Sequence, residues 1–199
     1  MKKRDLVLIG AAAGAVAGGV GWLATYLLTA PRNVKPVEIG DAFPTLNGRL
    51  LSGRAISLPG DLHGEIGILI LAWDFTARDE VAQWAREVVE RYGLLPDVRI
   101  YQVAMVGGVG PILRKYINRA MRQRATAPAR EHTLFVYGDL RRLRQQLDTA
   151  MTAEPGASVL LIDRAGRLTW RADGPPALMS LVSLRKALEE QGVEGSREA

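Results

Sequence analysis

Apolar and polar residues fall into alternating strand-like and helix-like blocks from about residue 49 onward. Residues 66–73 and 98–106 are nearly continuous apolar runs, which are typical of strands buried on both faces of a sheet. Between them, apolar residues recur every three or four positions over 81–92, and this spacing predicts an amphipathic helix. The same patterns predict a hairpin over 49–58, further strands at 133–137, 159–162 and 168–171, and further helices at 112–121, 140–151 and 178–188.

The order of these elements predicts an α/β fold. Strands alternate with helices and then close in a hairpin and a final helix, an order typical of a central mixed sheet with helices on both faces. We place this single domain at residues 37–191, ahead of a flexible tail at 192–199. A domain of this length can bury about two-thirds of its unfolded surface.

The N-terminal segment has the composition of a membrane anchor. Residues 6–30 contain no charged residue, and a helix of that length, rising about 1.5 Å per residue, crosses a hydrocarbon core of about 30 Å. A cleaved signal peptide is the alternative, but its apolar core normally has about 7–15 residues. We therefore predict a retained single-pass transmembrane helix, with residues 1–36 as anchor and short linker.

Positive charge on the two sides of the anchor sets its expected orientation. Lys2, Lys3 and Arg4 precede it, whereas Arg32 and Lys35 follow it. Because positively charged flanks tend to stay in the cytoplasm, we expect a cytoplasmic N-terminus and an extracytoplasmic domain.

Three glycines give the anchor one small-residue face. Gly10, Gly14 and Gly18 are spaced four apart, which allows close packing against another membrane helix. The same spacing also arises by chance in a segment rich in glycine and alanine. The anchor predicts two partners, the lipid bilayer itself and a protein in the membrane.

The junction between the first buried strand and its helix is the main candidate site. Thr76 and Asp79 stand three positions apart before the helix pattern, as in a capping box in which Thr76 accepts from the N–H of residue 79. A catalytic Thr–Asp pair is the alternative, but no base lies nearby in the sequence. Trp73, Asp74 and Phe75 either form a binding patch at the surface or pack beneath the helix.

This junction, with the motifs around it, resembles the active-site corner of the thioredoxin-like superfamily. The similarity covers about residues 37–190 and rests on the sequences at 40–44, 53–58, 61–65 and 161–167. It implies a thioredoxin-like sheet in which residues 76–79 stand at the position of the redox Cys-X-X-Cys. The chain contains no cysteine, so disulfide exchange and peroxidase chemistry, which need a thiolate, are excluded. The superfamily's cis-proline, expected near Ala157, is absent as well.

A narrower similarity concerns two short motifs. Tyr137-Gly138-Asp139 and residues 170–174, with a basic helix before the first, resemble the thioredoxin-like assembly factors of mitochondrial ATP synthase. This resemblance implies a membrane-associated chaperone for a membrane subunit of the synthase.

Basic charge is concentrated in residues 114–144. This segment carries nine basic and two acidic residues, in a chain whose net charge is +5. On the helix predicted at 112–121, we expect the bases to lie opposite the apolar stripe, where they can bind anionic lipid heads or an acidic protein. A merely solvated basic face is the alternative, and nucleic acid is not expected because interleaved aromatic residues are few. The candidate binding residues are Arg114, Lys115, Arg119 and Arg122.

Neither histidine indicates a metal site, because His63 and His132 are far apart and lack the ligand spacing of zinc sites. We expect no metal and no cofactor. The first functional hypothesis is a redox-inactive binding or assembly module for a membrane protein complex. The second is a lipid-surface module that uses residues 114–144. The third is an enzyme with non-thiol chemistry at Asp74, Thr76 and Asp79.

Overall fold

The computed structural model describes residues 35–74, 76–108, 110–138, 140–147 and 156–193. Residues 35–199 group into one compact unit. The anchor predicted at 6–30, with Gly10, Gly14 and Gly18, lies outside the described residues, as does Phe75. Among the helices that are described, none is both long and apolar enough to cross a bilayer.

Strands and helices alternate through most of the described chain. Their bounds are β1 Leu46–Leu50, β2 Ala55–Leu58, β3 Ile66–Ala72, α1 Arg78–Tyr92, β4 Val98–Val106, α2 Pro111–Arg124, α3 Ala127–His132, β5 Thr133–Tyr137, α4 Leu140–Leu147, β6 Ala157–Ile162, β7 Leu168–Asp173 and α5 Leu178–Glu189. The strands predicted at 98–106 and 133–137 are confirmed at the same bounds. The other predicted elements are confirmed with ends that differ by at most three residues, except the helix predicted at 140–151, of which 140–147 is described.

The strands form one mixed sheet in the order β2-β1-β5-β4-β3-β6-β7. Near its middle, β3 runs parallel to β4 and antiparallel to β6. β5 continues the parallel part beside β4, whereas β1 and β7 pair antiparallel with β5 and β6. The burial of β3 and β6 on both faces agrees with their apolar sequences, and the predicted α/β fold with a mixed sheet is confirmed.

Alternate residues of each strand point to opposite faces and divide the core into two layers. On one face, Tyr101 and Val103 of β4 belong to a cluster that Leu147 of α4 completes. On the other face, Ile100 belongs to a cluster with residues of α1 and α5. The largest side chain of that second layer is Trp84 of α1, which is fully buried. Helices therefore cover both faces of the sheet.

Helix α1 begins later than a capping box at Thr76 requires. Its N-cap residue is Ala77, which has no side chain able to cap. Asp74 supplies the cap instead: its Oδ1 accepts hydrogen bonds from the N–H of Thr76 (2.8 Å), the N–H of Ala77 (3.3 Å) and the Thr76 hydroxyl (2.6 Å). The predicted capping box of Thr76 and Asp79 is wrong, because the chain turns before the helix starts and brings these donors to the preceding carboxylate.

The cap keeps Asp74 ionised. Partial burial acts to raise the pKa of Asp74, but the hydrogen bonds from Thr76 and Ala77 and the charge of Arg144 outweigh burial and hold this pKa below its usual range. A carboxyl group with a lower pKa in the folded state stabilises the fold above its unfolded pKa. That contribution is lost as the pH falls through the folded pKa.

We expect Asp74→Ala to lower the free energy of unfolding by about 0.5–2 kcal/mol at neutral pH, the usual effect of losing a helix cap. Denaturant unfolding at several pH values tests this. The difference from the natural protein should be constant above about pH 5 and should shrink below about pH 4.

Asp79→Ala is the matched control, because Asp79 is exposed in the first turn of α1 and takes no part in the cap. It should cost less than Asp74→Ala, since only an interaction with the helix dipole is removed. Equal losses for the two variants would contradict the cap described here.

Candidate functional site

The first candidate site is the corner formed by the end of β3, the start of α1 and the start of β6. Trp73, considered as part of a surface patch, is only 4% exposed and packs in the core. Its Nε1 donates a hydrogen bond to Oγ of Ser158 at 3.1 Å, and the Ser158 hydroxyl donates to Oδ1 of Asp173 at 2.5 Å. Trp73 therefore follows the packing alternative, because β6 supplies a buried acceptor for its indole N–H.

Ser158 is the one polar residue among the buried residues of the described chain, with 2% of its surface exposed. Its hydroxyl is used both as donor and as acceptor, which removes most of the cost of burying it. A serine nucleophile needs access to a substrate and a base placed to take its proton. The burial of Ser158 denies that access, so its role is to link β6, β7 and Trp73.

Glu80 of α1 closes the corner on the β6 side. Its Oε2 accepts a hydrogen bond from the N–H of Ala157 at 2.7 Å. Gly156 leaves room for this carboxylate, since a Cβ there would lie 2.5 Å from the same oxygen. The residue at the position of the superfamily's cis-proline is thus tied to the helix by a side chain.

Arg144 of α4 covers the corner from the other side. Its guanidinium carbon lies 5.0 Å from the centroid of the Trp73 ring, a distance typical of a cation–π contact. Of the predicted site residues, Trp73, Asp74 and Thr76 come together here, whereas Asp79 points to solvent on α1. The polar groups of the corner bond to one another and to the backbone, so the corner presents no reacting group.

Metal binding has no evident location in the parts of the chain that the structure places. No three His, Asp or Glu side chains there are arranged to hold an ion. His132 is engaged in the fold, since its Nδ1 lies 3.0 Å from the carbonyl oxygen of Ile100, to which it can only donate.

Helix α2 is the second candidate site, and three of its apolar residues do not face the core as the sequence predicted. Ile112, Leu113 and Tyr116, here called the α2 stripe, are 87%, 52% and 72% exposed. The half-buried Ile117 packs against a small separate cluster that includes Phe135. The predicted buried stripe is wrong for these three residues, because α2 lies over this small cluster and not over the main core.

Polar contacts hold α2 in place. The Tyr137 hydroxyl donates to Oδ1 of Asn118 at 2.7 Å, and the guanidinium carbon of Arg114 lies 4.7 Å from the Tyr137 ring centroid. Arg122 donates from Nε to the carbonyl of Leu51 at 2.8 Å. Burial raises the pKa of Tyr137, which keeps its hydroxyl protonated as a donor. Two of the predicted binding residues, Arg114 and Arg122, therefore attach the helix to the domain.

The other two predicted binding residues lie beside the α2 stripe. Lys115 and Arg119 are exposed and one helical turn apart. Each follows a stripe residue by three positions, so the bases and the apolar side chains share neighbouring strips of one helix surface. The expectation that the bases oppose the stripe is wrong, because Ile117 and not Ile112 points inward. We call the stripe together with Lys115 and Arg119 the α2 surface.

Several corner residues were missed by the sequence analysis. Glu80 and Ala157 are 77 positions apart, and Ser158 and Asp173 are 15 apart, so only the sheet register brings each pair together. One signal was available, since Ser158 is a polar residue inside an otherwise apolar strand. No comparable signal marked Arg144 as a neighbour of Trp73.

Comparison with known proteins gives matches at the level of the fold. No protein-family model matches the chain, and no curated protein does. Among solved structures, BsSco, a member of the Sco family of cytochrome c oxidase assembly proteins, is similar with a TM-score of 0.56 and 13% identity, over 82% of this chain and 100% of that chain. A candidate protein disulfide isomerase from Bacteroides thetaiotaomicron has a TM-score of 0.53 and 17% identity, over 78% and 90%. A thiol peroxidase from Chromobacterium violaceum has a TM-score of 0.51 and 11% identity, over 83% and 95%.

Identities this low indicate a shared fold and carry no activity over to this chain. The matches support the resemblance to the thioredoxin-like superfamily and give no support to the narrower resemblance to ATP-synthase assembly factors. The described domain has a thioredoxin-like fold, and the segment at the position of the redox thiols contains no cysteine.

Proposed function

We propose that this protein is a redox-inactive, thioredoxin-like binding module that acts at a membrane and docks there through the α2 surface. The observation that carries the proposal is the exposure of the α2 stripe. Three large apolar side chains of one helix stand in solvent beside two bases. Isolated apolar residues are normal on protein surfaces, but a contiguous group bordered by charge is typical of an interaction site.

The closed corner supports a binding role over a catalytic one. Asp74 caps α1, Glu80 bonds to the backbone of β6, and Ser158 is buried between Trp73 and Asp173. These side chains stabilise the fold in a chain that has no thiol. We infer that the domain is not an enzyme and keeps the thioredoxin-like fold as a scaffold for the α2 surface.

The membrane part of the proposal comes from the anchor predicted at residues 6–30. A tether of this kind keeps the domain at a high effective concentration near membrane components, so that even a weak docking surface is occupied. In our proposal the domain is extracytoplasmic, following the charges that flank the anchor.

Assembly of a membrane protein complex is the finer form of the proposal. BsSco, described as a member of a family of cytochrome c oxidase assembly proteins, gives a precedent for this use of the fold. An ATP-synthase client rests on two short motifs alone. In this domain Tyr137 bonds to Asn118, and Trp170 donates from Nε1 to Ser183 at 3.1 Å. These structural roles account for the two aromatic residues, so we do not restrict the proposal to that client.

We expect Ser158→Ala to lower the free energy of unfolding by about 1–3 kcal/mol, because it leaves the buried indole N–H of Trp73 without its acceptor. Denaturant unfolding measures this loss. Docking, measured under conditions in which the variant stays folded, should be unchanged. A functional site at the corner would give the reverse pattern, with normal stability and lost docking.

We expect a photo-crosslinking amino acid in place of Tyr116 to form an adduct with a membrane component when membranes that contain the full-length protein are irradiated. Mass spectrometry of the adduct tells whether the captured molecule is a protein or a lipid. The matched control carries the same amino acid in place of Met179, an apolar residue of α5 that is 77% exposed. Adducts at residue 116 and not at residue 179 support the proposal, whereas equal or absent adducts contradict it.

Charge reversal makes the same experiment specific. Lys115→Glu combined with Arg119→Glu should lower the adduct yield at residue 116 about tenfold or more, because both attractive contacts become repulsive. Arg86→Glu combined with Lys186→Glu changes the net charge equally at exposed positions of α1 and α5. This second pair should leave the yield unchanged, and an equal loss would reduce the effect to overall charge.

A further inference from the structure

The α2 surface has the side-chain arrangement of a helix that lies in the plane of a membrane interface. Ile112 and Tyr116 are one turn apart, with Leu113 beside them, and each of the three is more than half exposed. Lys115 and Arg119 run alongside. In an interfacial helix, apolar side chains enter the boundary between headgroups and acyl chains, while long basic side chains reach the phosphates.

Charge on α2 favours an anionic surface. The helix contains five basic residues and no acidic residue, so its charge alone equals the net charge of +5 carried by the whole chain. Glu131 on the neighbouring α3 does not neutralise the α2 surface, because its carboxylate lies 4.0 Å from Arg54. An anionic partner can therefore approach α2 without meeting a carboxylate on that helix.

Shape favours lipid over an acidic protein as that partner. The α2 stripe stands on the convex side of a helix, and its side chains are 52–87% exposed instead of lying in a groove. A lipid interface adapts to a convex helix, whereas a protein must supply a complementary cavity. A membrane anchor at residues 6–30 would also keep lipid headgroups near the domain at all times.

We propose that α2 rests on an anionic lipid surface. Ile112, Leu113 and Tyr116 enter the interfacial layer of that surface, and Lys115 and Arg119 bind lipid phosphates. The inference rests on the proposed function, since it requires that the domain work at a membrane. It goes further by naming the chemistry of the first partner of the α2 surface.

Because the chain has no cysteine, a single introduced cysteine gives a unique labelling site in the full-length protein. Tyr116→Cys, labelled with the polarity-sensitive fluorophore nitrobenzoxadiazole, is the test position, and Met179→Cys is the control of similar exposure. Each protein is reconstituted into vesicles of phosphatidylcholine alone and of phosphatidylcholine mixed with phosphatidylglycerol. The emission of the label then reports whether that residue contacts lipid.

The label at residue 116 should shift to the blue in vesicles with phosphatidylglycerol, and the label at residue 179 should not. High salt should reverse the shift, because screening weakens contacts between surface charges. Reversal of Lys115 or Arg119 to Glu should weaken the lipid contact about fivefold or more per residue. Equal emission in the two kinds of vesicle, or an equal shift at both labelled positions, would overturn the inference.

The crosslinking experiment separates this inference from the proposed function. If the label at residue 116 does not respond to lipid but the crosslinker there captures an acidic protein, the lipid inference fails and the binding module stands. If neither experiment finds a partner at residue 116, both fail.

Discussion

The antiparallel pairing of β3 with β6 is the constraint on which the rest of the structure depends. Both strands are buried along almost their whole length, and their register places Leu71 opposite Ser158 and Ala72 opposite Ala157. This register brings Ser158 to the indole of Trp73 and the N–H of Ala157 to the carboxylate of Glu80. A shift of one residue would turn every β6 side chain to the opposite face and separate both pairs. The closed corner is therefore a consequence of how the two central strands meet.

The corner also explains how the fold persists without a thiol. In a redox thioredoxin-like protein, the free N–H groups at the helix start and the helix dipole stabilise a thiolate. Here the carboxylate of Asp74 accepts from the N–H groups of Thr76 and Ala77 and supplies the negative charge at the start of α1. The electrostatic requirement of the helix is satisfied, while the electron carrier is gone. The fold and the redox activity are thus separable in physical terms.

Sequence pattern predicted the elements and the fold class well, because long apolar runs such as 98–106 leave little choice of structure. It failed at α1's cap, where the position of the first helical turn decided which side chain met the free N–H groups. It failed again at α2, since periodicity shows that Ile112 and Tyr116 share a helix face but not whether a core lies beneath that face. The contacts of Ser158 and Glu80 depend on register between distant segments, which no local pattern contains.

Helix α2 carries the account's central claim, that its apolar stripe serves binding and contributes little to the fold. Ile117 and polar contacts to Tyr137 and Leu51 hold the helix, so the stripe itself can change without loss of core packing. The most direct measurement is denaturant unfolding of a variant with Ile112→Ser and Tyr116→Ser. The account predicts a free energy of unfolding within about 0.5 kcal/mol of the natural protein, as for surface substitutions. A loss of about 2 kcal/mol or more would show that the stripe is part of the core and would contradict it.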